Sequence, residues 1–329
     1  MKKILILGGT GFVGRHVCEK LTQLQWRVTV PTRQIARGRD IQMLPALDVF
    51  QADIHDEAAL TRLVAGHDAV VNLVAILHGT QQAFDRAHVE LPQKIARACA
   101  ATGVTRLVHV SALGADARNP AAGPSMYMRT KGQGEVVLNQ AGLALTTLRP
   151  GVIFGNGDKF FNTFAQLQRI FPVIPLAASQ ALFQPVWVED VAAAIVFCLQ
   201  DENLHATAGQ TFEACGPDVF TLRQLVEMAG RLSGVNQGRG RPVLPLPAAL
   251  GRLQASLMAL APGEPVLSRD NLDSMTAPNV ANGNLPGLDA LGITASTLEA
   301  IAPSYLGPNA GGWGLRSNLV LKRKTSGRF

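Results

Sequence analysis

The chain has 329 residues, of which 47% are hydrophobic and 16% charged, with a formal net charge of +6. This composition excludes a disordered chain and suits a globular α/β protein of one large domain with an appendage, or of two ordinary domains. No apolar run is long enough to span a bilayer, and Met1-Lys2-Lys3 leads directly into a strand pattern without a signal-peptide core, so a cytoplasmic location is expected.

The first predicted element is the most informative. Residues Lys3 to Leu7 are an apolar run suited to a strand buried on both faces, as in a parallel sheet. The run breaks at Gly8, Gly11 and Gly14 into a segment of helical period, Phe12 to Leu24. In such a strand, turn and helix, the first glycine permits a tight turn and the second lets main chain approach a diphosphate. The third lets the helix pack closely on the strand, with its amides aimed at the pyrophosphate of a dinucleotide.

Further strand patterns follow at Arg27 to Pro31, Asp48 to Gln51, Ala69 to Leu73, Arg106 to Ser111 and Ala144 to Arg149. Helical periods separate them at Glu57 to Ala65, Phe84 to Ala101 and Ser125 to Gln140, with His88 beside the apolar face of the middle one. Alternation of this kind predicts a Rossmann-type doubly wound parallel sheet. After Pro150 the regularity weakens, and a smaller C-terminal substrate lobe is expected over 151–307. That lobe begins with a loop at Gly155 to Asp158, a helix near Phe160 to Phe171 and a proline-rich link at Pro172 and Pro175. A strand at Phe183 to Val188, a helix at Glu189 to Leu199, a strand at Gln210 to Ala214 and a helix at Thr221 to Leu232 are expected to return to the 1–150 domain. Gly234 to Pro247 has the composition of a linker.

Leu246, Leu250, Leu253, Leu257 and Leu260 form an apolar stripe at helical spacing. Its ordinary reading is a helix packed on the domain; the alternative, docking on a membrane or partner, is disfavoured by the scarcity of lysine, arginine and aromatic anchors. The final stretch, 308–329, carries Arg316, Lys322, Arg323, Lys324 and Arg328 and no acid, and reads as a flexible basic tail. Because the excess charge gathers there without interleaved aromatics, nucleic acid is not an expected partner. Cys18, Cys99, Cys198 and Cys215 form no CxxC pair and read as buried reduced thiols.

A second constellation lies in the fourth helix. Tyr127 and Lys131 stand four residues apart, so both project from one face, a turn apart. A neighbouring ammonium favours a phenolate, and on that ground the tyrosine is expected to titrate below its usual range and to exchange protons. Ser111, ending the fifth strand, should stand at the carboxyl edge of the sheet, where open α/β sheets bind ligands, and there hold a substrate oxygen.

The Gly-rich turn, the serine ending the fifth strand and the YxxxK spacing together resemble the short-chain dehydrogenase/reductase superfamily. Gly8, Gly11 and Gly14 with RPGVIFG at Arg149 to Gly155 and VWVEDVA at Val186 to Ala192 resemble its extended or atypical branch, which includes NAD-dependent epimerases and dehydratases. More narrowly, YMRTKGQGE, FQPVWVEDVA and ALGRLQASLMALAPGEP look like the bacterial relatives of subunit nine of the alpha subcomplex of respiratory complex I. The resemblance implies Ser111, Tyr127 and Lys131 as a catalytic set. It implies nucleotide contacts from Gly8, Thr10, Gly11, Phe12, Val13 and Gly14 at the pyrophosphate turn. Asp53 and Ile54 would lie near the adenine, Asn72, Val74 and Ala75 beside the nicotinamide-side ribose, and Lys131 and Pro150 would complete the set. One departure stands out: where extended members often carry a catalytic-site asparagine, this chain reads Ala87-His88-Val89-Glu90.

After the second strand an NAD-selective site would place an acid for the ribose hydroxyls, whereas this chain has Thr32-Arg33. Arg33 can pair with a 2′-phosphate, with Arg15 and Arg37 adding charge, so NADP(H) is expected over NAD(H). Two functions follow. One is an NADPH-dependent oxidoreductase acting on a carbonyl or quinone-like substrate, or an epimerase- or dehydratase-like enzyme that remodels a sugar-like substrate by transient oxidation, with Phe154, Phe160, Phe161, Phe183 and Trp187 as either pocket wall or core. The other is a non-catalytic NADPH-holding protein of a respiratory or quinone-linked assembly, with peripheral contact at the inner face of the membrane.

Overall fold

The computed structural model describes residues 1–258 and 267–307. Leu260 and the basic tail 308–329 lie outside the described residues. The chain divides into two units, the first formed by 1–150, 189–214 and 281–294, the second by 151–188, 215–280 and the chain from Ala295.

The first unit is built on strands β1 (Lys3–Leu7), β2 (Arg27–Thr32), β3 (Leu47–Gln51), β4 (Ala69–Asn72), β5 (Arg106–Val110), β6 (Ala144–Pro150) and β7 (Gln210–Ala214). They form one sheet in the order β7-β6-β5-β4-β1-β2-β3, and every pairing is parallel. The strand order reverses beside β1, so the loops after β1 and β4 diverge there and leave a crevice at the carboxyl edge. Ile4 to Leu7 and the whole of β4 and β5 are buried, as strands covered on both faces must be.

The helices follow from their end signals. Helix α1 (Phe12–Gln23) starts at Gly11, α2 (Glu57–Val64) is capped by the Asp56 carboxylate accepting from the Ala58 and Ala59 amides, and α5 (Met126–Asn139) by the Ser125 hydroxyl accepting from Met128. Helix α6 (Val188–Leu199) docks on α1 through Glu189, whose oxygens lie 2.5 Å from His16 Nδ1 and 2.9 Å from Lys20 Nζ. Its far end is held by the buried Arg106 guanidinium, which donates to the Cys198 and Ala144 carbonyls and to the hydroxyls of Thr146 and Thr207. All four cysteines are buried thiols, and burial pushes Cys18 and Cys198 up to about 12 and Cys99 to about 11.

The helix expected over Phe84 to Ala101 is present and runs without interruption through α3 (Gln81–Asp85), a π-helical turn over Arg86–Glu90, and α4 (Leu91–Thr102). Pro92 explains the π turn. It has no N–H to give the His88 carbonyl, and the ladder widens so that the Leu91 amide donates to the Arg86 carbonyl. Helix α5 lies on this turn through Gly134, where a Cβ would stand 2.1 Å from the His88 carbonyl oxygen.

In the second unit, Phe154, Phe161 and Phe183 are core residues, packed with Leu225, Val226 and Leu298, while Phe160 and Trp187 lie against that core. Phe160 makes edge or tilted ring contacts with Phe161, Phe164 and Phe183 at 5.1–5.8 Å. Of the two readings of these aromatics, packing is the one realised at Phe154, Phe161 and Phe183. The strand expected over Phe183 to Val188 is two short pieces, Leu182–Phe183 and Val186–Trp187, separated at Pro185, which cannot donate to a ladder. The expected links are also structured: Ile174–Leu176 pairs in parallel with Val243–Pro245. The helix Ala248–Met258 departs from its ordinary reading, because Leu250 and Leu253 are exposed while Gly251 and Ala255 are buried.

Gly134→Ala drives a methyl group into the His88 carbonyl. It is expected to cost about 1–3 kcal/mol of stability in urea unfolding, as overpacking does; an unchanged midpoint would show that α5 does not rely on this approach.

Candidate active site

Gly8 adopts φ +87°, a left-handed conformation that favours glycine, and its amide-side turn closes by a 2.9 Å hydrogen bond from the Gly11 amide to the Gly8 carbonyl. At Gly14 a Cβ would stand 2.5 Å from both the Gly8 carbonyl oxygen and the Gly9 Cα. The helix therefore packs on the turn only because residue 14 is glycine. No side chain caps α1 and no acid occupies its first turn, so the amides of Phe12, Val13 and Gly14 and the positive end of the helix face the loop. Thr10 contributes its carbonyl to Arg15 Nε at 3.0 Å, and Arg15 also pairs with Asp40 at 3.0 Å. Arg37 is turned to the Gln34 side chain. Of the three arginines expected to favour a 2′-phosphate, Arg15 and Arg37 are thus engaged within the protein, while Arg33 is exposed just beyond β2. Beyond β3, Asp53 is exposed and one of its carboxylate oxygens accepts from the His55 amide; Ile54 beside it is half-buried.

At the end of β4, Asn72 Oδ1 accepts from the Val74 amide, which fixes the amide orientation, and Nδ2 then donates to His109 Nδ1 at 3.1 Å. Asn72 and His109 are register partners on β4 and β5. Val74 is half-buried and Ala75 exposed on the loop that leaves the strand.

His88 joins this loop to α5. Its Nε2 accepts from the Ile76 amide at 3.1 Å, so Nδ1 carries the proton and donates to the Thr130 hydroxyl at 2.9 Å, which in turn donates to the Met126 carbonyl. Burial, reinforced by the nearby Lys131 charge, holds His88 down at about 2, and burial takes His109 well below the usual imidazole range. The His88 ring meets the Tyr127 ring edge-on at 5.5 Å, and Phe84 meets the same ring at 6.4 Å. These walls fix the phenol.

Tyr127 and Lys131 share the inward side of α5. Lys131 is 1% exposed, and its ammonium donates to the Val110 carbonyl at 2.8 Å, at the last residue of β5. The adjoining residue is Ser111, 4% exposed, whose amide donates to Leu148 and whose hydroxyl has no hydrogen-bond partner among the described residues. Burial lowers Lys131 to about 8 against the raising effect of Glu135, and burial raises Tyr127 to about 12. The phenol was expected below its usual range; it stands above it, because desolvation of a phenolate dominates while the ammonium is committed to Val110. Behind Lys131, Glu135 and Arg149 form a buried pair with contacts of 3.0 and 2.5 Å. Buried Pro150 closes β6, its carbonyl accepting from the Leu113 amide.

The first unit thus brings together the glycine turn, the β4 edge with Asn72, and the Ser111, Tyr127 and Lys131 set. The sequence reading missed the part of His88 and His109. The signals were a histidine four residues before a proline, and a polar residue inside each of two adjacent apolar strands.

A family model described as NAD(P)H-binding matches residues 8–202. The chain belongs to this family. The mouse protein named NADH dehydrogenase (ubiquinone) 1 alpha subcomplex subunit 9, mitochondrial, is 31% identical over 301 residues, 89% of this chain and 77% of the relative. A ceramide reductase of Caulobacter vibrioides is 31% identical over 200 residues, 59% of this chain and 60% of the relative. Among solved structures, the dTDP-glucose 4,6-dehydratase of Streptomyces venezuelae has a TM-score of 0.64 at 22% identity, covering 74% of this chain and 84% of its own. MoeE5, in complex with UDP-glucuronic acid and NAD, has a TM-score of 0.66 at 17% identity, covering 92% and 97%. The fold of this NAD(P)H-binding chain is that of the atypical short-chain dehydrogenases, epimerases and dehydratases. Among the described residues, no helix is long and apolar enough to cross a membrane.

Both buried imidazoles are neutral in the fold and accept protons near pH 6.5 once unfolded, so stability is full above that value and falls as the pH drops below it. Each should remove about 1.4 kcal/mol per pH unit below that point. Histidine NMR resonances should show His88 and His109 not titrating between pH 5 and 8; a midpoint for either inside that window would contradict the assigned hydrogen bonding.

Proposed function

We propose that this chain is an NADPH-dependent oxidoreductase that reduces a carbonyl on an apolar or quinone-like substrate. The observation that carries this reading is the buried ammonium of Lys131 at the end of β5, one turn from Tyr127 on α5 and next to the sealed, unpartnered hydroxyl of Ser111. Taking a cation out of water is costly, and the fold offsets it with one carbonyl hydrogen bond and the charge of Glu135, leaving two of the ammonium's protons for a ligand. A ribose hydroxyl pair and a reacting oxygen would supply the rest. The glycine cradle and the uncapped start of α1 fit a diphosphate, and Asn72, Val74 and Ala75 line the strand edge beyond it. When bound, the nicotinamide supplies the hydride.

The chain's own groups then have distinct tasks. Ser111 Oγ donates to the carbonyl oxygen and orients it. Tyr127, neutral at working pH because its phenol sits near 12, is suited to donate its proton to that oxygen as negative charge develops there, which favours reduction over oxidation. Lys131 holds the ribose and stabilises the phenolate left behind. Edge contacts from His88 and Phe84 keep the phenol in one orientation. The name of the Caulobacter relative, a reductase, supports an enzymatic role. A second reading, an NADPH-holding subunit of a respiratory assembly, is favoured by the span of the match to the mouse complex I subunit. It predicts stoichiometric bound nucleotide with no turnover on aldehydes, ketones or quinones.

Three outcomes are expected. Tyr127→Phe should lower reductase turnover by about a hundredfold or more while leaving NADPH affinity within about twofold, as loss of a general acid does; turnover equal to the parent defeats the proposal. Reduction should decline as the pH rises through about 8, where Lys131 gives up its proton, and a flat kcat/KM profile from pH 6 to 10 would count against that role. Arg33→Gln should weaken NADPH about tenfold by calorimetry and leave NADH unchanged, the loss of one charged hydrogen bond; equal losses for both would remove Arg33 as the selector.

A further inference from the structure

The second unit carries an apolar face with an unusual charge setting. The helix Phe160–Ile170 ends at Ile170, 72% exposed, followed by exposed Phe171 and Val173. The next strand, Ile174–Leu176, turns Ile174 and Leu176 inward and Pro175 outward, and its partner Val243–Pro245 sets exposed Leu244 opposite Pro175 in the parallel register. Paired residues of a sheet share a face, so these two side chains extend the exposed surface. The helix Ala248–Met258 continues it. Gly251 packs so closely on Ala177 that a Cβ would stand 2.6 Å from the Ala177 Cβ, and this inward contact leaves Leu250 and Leu253, 51% and 56% exposed, on the outer side. Three adjoining pieces of chain therefore present isoleucine, phenylalanine, valine and leucines to solvent, a larger grouping than scattered surface residues make.

The charges around it are mostly basic. The two segments that build the face, residues 159–188 and 228–258, contain no aspartate or glutamate and six bases: Lys159, Arg169, Arg231, Arg239, Arg241 and Arg252. The helix Arg269–Ser274, which packs on Ala248–Met258, adds exposed Arg269 together with buried Asp270 and half-buried Asp273. Arg169 and Arg252 are exposed and adjoin Ile170 and Leu253 in sequence, and Arg239 is exposed on the segment that leads into Val243–Pro245. Arg241 Nε is sealed from solvent and has no hydrogen-bond partner among the described residues, a donor without an acceptor. Apolar side chains bordered by an excess of exposed bases complement an anionic lipid surface, which offers hydrocarbon beneath a layer of phosphates. A second copy of this chain would bring the same bases against these and meet repulsion.

We propose that this face of the second unit, centred on Ile170, Phe171, Leu244, Leu250 and Leu253, seats the protein on anionic phospholipid. The apolar residues enter the boundary between headgroups and chains, and the surrounding arginines pair with lipid phosphates. The inference is independent of catalysis, although a seat on the bilayer would suit the apolar substrate proposed above.

The test is sedimentation of the full chain with vesicles of phosphatidylcholine, with and without about one quarter phosphatidylglycerol. Binding should require the anionic lipid and weaken as salt rises, the mark of surface charge pairing. The variants Leu250→Ser with Leu253→Ser, and Ile170→Ser with Phe171→Ser, should each keep the parent melting temperature and reduce partitioning about tenfold or more, the scale of losing two inserted side chains. A full chain with Arg316, Lys322, Arg323, Lys324 and Arg328 changed to glutamine should retain most of the binding. Three outcomes would overturn the proposal: no vesicle binding, binding lost with the tail bases but indifferent to the apolar substitutions, or a self-associated species in sedimentation velocity that those substitutions disperse in place of vesicle binding. Reductase activity is not read in any arm, so failure here and failure of the proposed reaction remain distinguishable.

Discussion

The close seating of α1 on the turn after β1 is the constraint on which the rest of the nucleotide site depends. At Gly14 the space that a side chain would need is already filled by the Gly8 carbonyl and Gly9 backbone. Any larger residue lifts the helix start away from the strand and with it the amides that would meet a diphosphate. Because β1 lies at the point where the strand order reverses, that seating also sets the crevice between the loops after β1 and β4. Charge reinforces the arrangement through absence: nothing acidic occupies the first turn of α1, so its positive end is uncompensated.

A second constraint governs the reactive side. Pro92 breaks the helical ladder, the π turn that results carries His88 inward, and Gly134 lets α5 lie directly on its carbonyl. One neutral imidazole then ties the loop beyond β4 to α5, accepting from Ile76 and donating to Thr130, while its ring edge meets Tyr127. The position of the phenol is thereby coupled to the strand edge that would receive a nucleotide. A protonated histidine could not accept from Ile76, so burial and the adjacent lysine charge serve the geometry by keeping the ring neutral.

The pairing of a raised tyrosine with a lowered lysine has a consequence for direction. Helix spacing alone argues that an ammonium draws a phenol towards ionisation, yet Lys131 spends its hydrogen bond on Val110 and desolvation outweighs attraction at Tyr127. The groups stand as a neutral acid beside a cation that is close to releasing its proton. In the proposed reaction such a set would give a proton to a developing oxyanion and then hold the resulting charge.

The chain pattern alone determined the parallel sheet, its glycine turn and the shared face of Tyr127 and Lys131, since strand burial, turn glycines and helical spacing are local properties with fixed periods. The apolar run at Ile4 to Leu7 and the four-residue spacing on α5 needed no partner to be read. Tertiary structure decided what depends on residues far apart in sequence. It widened the helix at His88, where a proline effect became a bridge between two elements, and it reversed the expected shift of Tyr127 through burial. It assigned Phe154, Phe161 and Phe183 to packing, and it turned Leu250 and Leu253 outward, because close contact with Ala177 requires the glycine side of that helix to face in. A hydrophobic stripe records which residues share a side; only the neighbours determine whether that side is buried.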